Sequence, residues 1–577
     1  MGMRCIRLLH SYKVAVEFLV TLFLLLLRFD GCQASSSSSP TTTTHRCVEE
    51  ERRALLQLRD SFNFPNGHAL SYWVGDDCCK WKGVECDLFS STSRVISIDI
   101  SYERQSEQGT WYPNATLFTE FKQLQTLDLS GNKISGWINV QALCQLHNLK
   151  ELWVGGNNLG DDGLPWCLGR SLPFLEEVSL WGNNRNISSL LLRALCGSTS
   201  LRTLWLNENN LISDDSLPPC LLDINRSSLE ILGLRNSNLT EGVLHALCNS
   251  TNVKGLYLDV TENLPTECGV FHNLQTLVLY GDDHNGSSSL VLTALCNATN
   301  LKTLQLRNLY NGGNLPTKCD AFRYLETLYI SGSSSWVVLM TLFKEARNLK
   351  TLKLYSVNVG DGKLLTELVG LTNLKELYLW DNGLTDETLS LGLLRNLSLL
   401  EGLSISNNNL KHIPTGICEL KNLQELSLRA NMIDAIPTST FNNLTSLRSL
   451  DLSDNKLQGT LPFSLFANLS KLKHIDLSNN DQLRIETESP TWIPSFQLDS
   501  LRLDNCKLNN HIPSFLSTQY NLNILSLSYA SLQGKIPPWL LYNKTSLLVL
   551  SLGGNHLDSQ FPVNPRNATT ACLGPFK

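Results

Sequence analysis

The 577-residue sequence has no basic excess: 47 Lys and Arg stand against 53 Asp and Glu, a formal charge of −6. A nucleic-acid footprint needs a clustered basic surface, so nucleic acid is not an expected partner. Beyond its first segment the chain lacks any stretch apolar enough to span a bilayer. It has no HRD-type catalytic loop, no DFG and no Gly-rich phosphate loop, which leaves no kinase domain. Gly-x-Ser-x-Gly and His-Glu-x-x-His are also missing. The histidines are scattered between regular segments. No Cys-x-x-Cys pair occurs, so the usual zinc spacing is absent. These absences predict no enzyme, no cofactor and no metal, and turn attention to binding.

What is present begins with an address. Arg4, Arg7 and Lys13 precede an apolar run from Val14 to Leu27, broken only by Glu17 and Thr21, and small residues follow. Residues 1–34 read as a secretory signal cleaved after about Ala34. A signal anchor is the alternative, but the run is shorter than the roughly 18 apolar residues of a span. Residues 35–46 form a Ser/Thr/Pro linker. The 17 cysteines fit an oxidising compartment. So do the sequons at Asn114, Asn186, Asn225, Asn238, Asn249, Asn285, Asn297, Asn396, Asn443, Asn468, Asn543 and Asn567, which together predict a secreted glycoprotein.

From Arg94 onward one unit recurs. Leu124-QTLDLSGNKI, Leu149-KELWVGGNNL, Leu374-KELYLWDNGL and Leu447-RSLDLSDNKL each fit LxxLxLxxNxL. Starts at Leu423, Leu447 and Leu472 give a period of roughly 24. The LxL portion alternates as a strand does, so its leucines point inward and stack on the next rung. Each buried Leu contributes roughly 1.5–3 kcal/mol, and a single rung cannot offset its own ordering entropy, so stability belongs to the stack. The Asn that follows satisfies backbone groups where the chain turns; Asn132, Asn157, Asn183, Asn209, Asn382, Asn408, Asn431, Asn455, Asn480 and Asn555 hold that place and Cys506 replaces it once. Rungs near Val253, Leu301 and Leu325 lack it, which predicts less regularity there. Residues 94–563 thus hold about 18–19 rungs, and 564–577 an incomplete tail.

Leu457-QGTLP, Leu532-QGKIP and the partial Leu410-KHIP carry a further LxGxIP element. With it the sequence resembles plant extracellular leucine-rich-repeat receptor-like proteins and receptor-kinase ectodomains. Residues 47–93 strengthen the likeness: Cys47-VEEERRALLQLRDSF, then Trp73, then Cys78-Cys79-Lys80-Trp81-Lys82-Gly83-Val84-Glu85-Cys86 is similar to the N-terminal cap of that family. Glu49 to Phe62 reads as an amphipathic helix covering the exposed end of the first rung. The resemblance implies Cys47–Cys78 and Cys79–Cys86 disulfides, an α/β-type solenoid with a parallel sheet on its concave face, and recognition in defence or development. The resemblance also implies that a membrane co-receptor kinase relays the signal. Such relatives continue into further repeats, an acidic juxtamembrane stretch, one membrane helix and a short tail. This sequence, ending at Lys577, does not contain those parts, so membrane attachment is not an expectation for it as written. A decoy ectodomain or an inhibitor of cell-wall-degrading hydrolases is the rival reading.

A second cysteine series alternates between neighbouring rungs. Cys144, Cys196, Cys248 and Cys296 each close an Ala-Leu-Cys, and Cys167, Cys220, Cys268 and Cys319 each follow a Leu-Pro. Adjacent rungs stack, so Cys144–Cys167, Cys196–Cys220, Cys248–Cys268 and Cys296–Cys319 are expected staples; buried single thiols are the alternative. Cys418 has no counterpart.

The solvent-facing strand positions carry the functional signal. Later rungs fill them with Asp and Ser, as in Leu450-DLSDN. Middle rungs do not. Trp153, Trp205, Tyr257, Tyr329 and Tyr378 occupy the first outward position; Trp181, Tyr280, Tyr355 and Trp380 occupy the next; Arg235, Arg307 and Lys353 lie among them. Stacking does not require aromatics there, and a contiguous stripe of them marks a partner site for an extracellular peptide, glycan or protein. Aromatics also suit a β-surface and pack on one another across strands, which is the plainer account. No strand face carries Arg-x-Arg.

Overall fold

The computed structural model describes residues 47–558, apart from internal stretches of which 260–271, 282–295 and 309–319 are the longest. The leader, the linker and the tail from 559 therefore lie outside the described residues. One sheet of 20 strands organises the rest. Its first strand, Val84–Cys86, is antiparallel and belongs to the cap. The other nineteen are parallel, one per rung, from Val95–Asp99 to Val549–Ser551. The predicted concave parallel sheet is thus present, with nineteen rungs against the expected 18–19.

Most of these strands are three residues long because LxL is the only extended part of the repeat. Their leucines are fully buried: Leu127, Leu152, Leu204, Leu256, Leu304, Leu352 and Leu377 form one inward column. Beside it runs the asparagine column. Asn157 shows its logic: its Oδ1 accepts from the N–H of Asn132 and of Ile134 on the preceding rung, at 2.9 and 3.0 Å. Its Nδ2 donates to the carbonyls of Leu129, Val154 and Gly155. Each amide therefore joins two rungs and satisfies groups that the turn would leave buried and unpaired. Cys506 can do only part of this. Its thiol donates to the Leu477 carbonyl at 3.1 Å, and burial pushes its pKa up to about 12.

The rungs expected to be less regular keep their strands. Strands Gly255–Asp259, Thr276–Tyr280, Thr303–Arg307, Thr327–Ser331 and Thr351–Tyr355 are five residues long. Their parallel pairing runs on through the next outward residue. Asn382 is present in the rung after them, whose strand Glu376–Trp380 stays in register with its neighbour.

The LxGxIP elements build a second, smaller parallel set. Gln458–Pro462, Gln482–Glu486 and Lys507–Leu508 pair with one another, as do Gln533–Gly534 and His556–Leu557.

The cap helix spans Glu49–Asn63 and buries Ala54, Leu55, Leu58 and Phe62 against the first rung. Buried Glu51 accepts from the Val95 amide and pairs with Arg94, so a charge on the helix anchors the first strand. Disulfides join Cys47 to Cys78 and Cys79 to Cys86, with Cα separations of 5.4 and 5.5 Å. Two inter-rung bridges, Cys144–Cys167 and Cys196–Cys220, follow at 6.1 and 5.7 Å. Cys248 and Cys296 are also disulfide-bonded, while Cys268 and Cys319 lie outside the described residues. Cys418 is a free thiol.

Of the sequons, Asn249, Asn396, Asn443 and Asn468 are exposed and stand outside the strands; Asn114 is half-buried and caps a short helix through Thr116. Asn186, Asn225, Asn238, Asn285, Asn297, Asn543 and Asn567 lie outside the described residues. Among the described residues no helix is long and apolar enough to cross a membrane.

Candidate ligand-recognition face

Parallel pairing in strict register sets the outward residues into columns. The first column reads Asp99, Asp128, Trp153, Ser179, Trp205, Gly233, Tyr257, Val278, Gln305, Tyr329, Lys353, Tyr378 and Ser404. The second column contains Asp259, Tyr280, Arg307, Ser331, Tyr355 and Trp380 in the same way. Trp181 and Arg235 stand in it on earlier rungs. All twelve residues singled out from the sequence therefore share one face. Each is half-buried.

The half-burial comes from contact within the columns. Trp205 meets Tyr257 edge-on with ring centroids 4.8 Å apart, although a whole rung separates them. Gly233 makes this possible, because a Cβ there would collide with the Trp205 ring. The Trp205 indole N–H donates to Glu177 at 3.0 Å and fixes the ring's lean. Further along, the Arg235 guanidinium lies 4.2 Å from the Tyr280 ring centre, and Arg307 sits between Tyr280 and Tyr329 at 5.5 and 4.9 Å. Lys353 covers Tyr378 at 4.7 Å, Tyr378 contacts Trp380 at 4.9 Å, and the Trp380 indole donates to Ser404 at 2.7 Å. Cations held over rings in this way fix the rings in place, and each ring residue stays partly exposed. Cross-strand packing and an accessible face are therefore both properties of these residues. Burial pushes the Tyr378 hydroxyl up to about 12, so it stays a hydrogen-bond donor across the physiological range.

Sequence patterning alone misses several members of the face. Tyr102 follows strand Val95–Asp99 at φ 57 and is 64% exposed. It lies against Trp181 in a near-parallel arrangement, centroids 6.2 Å apart, over the space left by Gly131 and Gly156. Its position, which most other rungs fill with Gly, Asn or Asp, was the available signal. Asp128 is only 8% exposed. Burial first, and then the charge of Asp99, pushes its carboxyl up to about 6. Glu177 is raised too, by burial first and then by Glu151.

A folded-state pKa above the ordinary 3.8 means that Asp128 favours the fold fully below about pH 4, and that this contribution is lost as pH rises through about 6. Asp128→Asn keeps an acceptor for the Ser130 amide. It should raise unfolding free energy at pH 7 by about 1–3 kcal/mol and change it little at pH 4. Urea unfolding of the full chain at both pH values checks this; a loss of stability at pH 7 would contradict it.

The leucine rich repeat family matches residues 123–146, 372–433 and 421–482, and the leucine rich repeat N-terminal domain matches 48–87. Cuscuta receptor 1 of Solanum lycopersicum is 30% identical over 86% of this chain and 46% of its own. Receptor-like protein 1 of Arabidopsis thaliana is 33% identical over 26% of this chain and 16% of its own. The chain thus spans less than half the length of these curated relatives. Among solved structures, the ectodomain of the Arabidopsis receptor kinase HAESA covers 89% of this chain and 94% of its own at 21% identity, with a TM-score of 0.32. The chain is thus a leucine-rich-repeat solenoid with a leucine-rich-repeat N-terminal cap, and its sequence is similar to those of plant receptor-like proteins.

Proposed function

We propose that this chain is an extracellular recognition module whose strand face binds a peptide or an extended segment of a protein. The observation that carries the reading is the continuous run of aromatic rings and ring-bound cations on one face from Trp153 to Trp380. Rigid, partly exposed rings offer large contact area at small entropic cost, which is what binding hot spots require. The relatives named receptors support recognition as the role. A membrane kinase partner would relay the signal.

The test pans the immobilised full chain against a random dodecapeptide library and, in parallel, assays it against microbial cell-wall hydrolases. Saturable peptide binding with hydrolase rates unchanged is the expected result. Inhibition of a hydrolase with no peptide selected would replace this reading by the inhibitor one.

A further inference from the structure

The strand face is not uniform in charge. In the rungs from Val95 to Glu208, the outward positions hold Asp99, Asp128, Glu151, Glu177 and Glu208 and neither Lys nor Arg. The cations start beyond them, at Arg235. The same acidic rungs carry four aromatics: Trp153, Trp205 and the Tyr102–Trp181 pair. This pair lies over a row of glycines. Gly131, Gly156 and Gly182 stand one after another between Tyr102 and Glu208, each with positive φ, and side chains at Gly131 and Gly156 would fill the space that the Tyr102 and Trp181 rings use.

We propose that these first five rungs form a separate subsite for a cationic, Lys- or Arg-bearing segment of the ligand, stacked on Tyr102 and Trp181 and paired with the surrounding carboxylates. This rests on the strand face being the recognition surface and adds the chemistry of one end of it. Charge complementarity selects the occupant. Ring faces attract ammonium and guanidinium groups. Asp128 is buried, Glu151 and Glu177 are half-buried, and Asp99 and Glu208 are exposed. No Lys or Arg shares their outward positions on these rungs, an arrangement of like charges that a bound cation relieves and a neutral sugar does not. The hydroxyl of Tyr102 reports the same field: burial first, then the charges of Asp128 and Glu208, push it up to about 12.

Dye-labelled hexa-arginine amide is the probe, with hexa-glutamate amide and cellohexaose alongside, on the full secreted chain. Hexa-arginine should bind saturably. Glu151→Gln/Glu177→Gln/Glu208→Gln should weaken it at least about tenfold, a factor worth about 1.4 kcal/mol. Trp181→Ala should weaken it as well, and serves if the triple variant fails to fold. Asp451→Asn/Asp476→Asn/Asp504→Asn, which neutralises as many carboxylates on later rungs, should leave it unchanged. Equal weakening by both triple variants, or binding of cellohexaose in place of hexa-arginine, overturns the subsite. Neither result touches the peptide reading of the middle rungs, which depends on selected peptides and other residues.

Discussion

A chain in which Trp205, Tyr257, Tyr329 and Tyr378 are all alanine should fold and lose at least about 100-fold in affinity for a selected peptide. The loss follows from position. Trp205 and Tyr257 form one contact pair across Gly233, Tyr329 carries the Arg307 guanidinium, and Tyr378 joins Lys353 to Trp380. Truncating a buried aromatic anchor costs about 2 kcal/mol or more, and four of them span most of the face. The fold should survive because the leucine beneath each ring, such as Leu204, Leu256, Leu328 and Leu377, is fully buried and unchanged. Cross-strand ring pairs contribute only about 0.2–1 kcal/mol each. Surface plasmon resonance and circular dichroism on the same preparation decide it. A control carrying Tyr324→Ala and Tyr520→Ala, exposed rings outside the strands, should bind normally. Unchanged affinity in the fourfold variant would remove the aromatic columns from the binding account.

Asn157→Ala should be the most damaging single change in the repeats, lowering unfolding free energy by about 2–5 kcal/mol. The side chain is 2% exposed and makes five hydrogen bonds. Alanine leaves two buried amides and their partner carbonyls without it, and each orphaned group costs about 1–3 kcal/mol. Stability in a solenoid is a sum of rung and interface contributions, so the damage should centre on the rungs of Asn132, Asn157 and Asn183. Hydrogen exchange read by mass spectrometry should show faster exchange there and little change near Asn455. Uniform acceleration over the whole chain would mean that the rungs unfold as one unit.

The repeat was legible because each rung solves the same problem. Leucines at a fixed period have one way to be buried, and a buried turn needs an amide where Asn157 stands. The alternation of Cys144 with Cys167 and of Cys196 with Cys220 was legible for the same reason: stacked rungs bring equivalent loops together. Strand alternation also placed Trp153, Tyr329 and Tyr378 on the outward side without any knowledge of their neighbours.

What patterning could not give is how side chains lean from rung to rung. That Trp205 reaches Tyr257 depends on Gly233, two residues that no local window relates to function. Tyr102 belongs to the face only because Gly131 leaves its ring room. The burial of Asp128 is equally invisible in a column that elsewhere holds exposed Asp99. The missing asparagines near Val253, Leu301 and Leu325 predict irregularity; the strands there keep their register, since pairing needs only the LxL positions, while 260–271, 282–295 and 309–319 beyond them lie outside the described residues.

The central claim is that the ligand lies along the strand face. Hydroxyl-radical footprinting of the full chain, with and without a selected peptide, tests it residue by residue. Protection of Trp205, Tyr257, Tyr329 and Tyr378, with Tyr324 and Tyr520 labelled as before, is the predicted pattern. Protection of Tyr324 and Tyr520, with the four column rings as reactive as in the free chain, would contradict it.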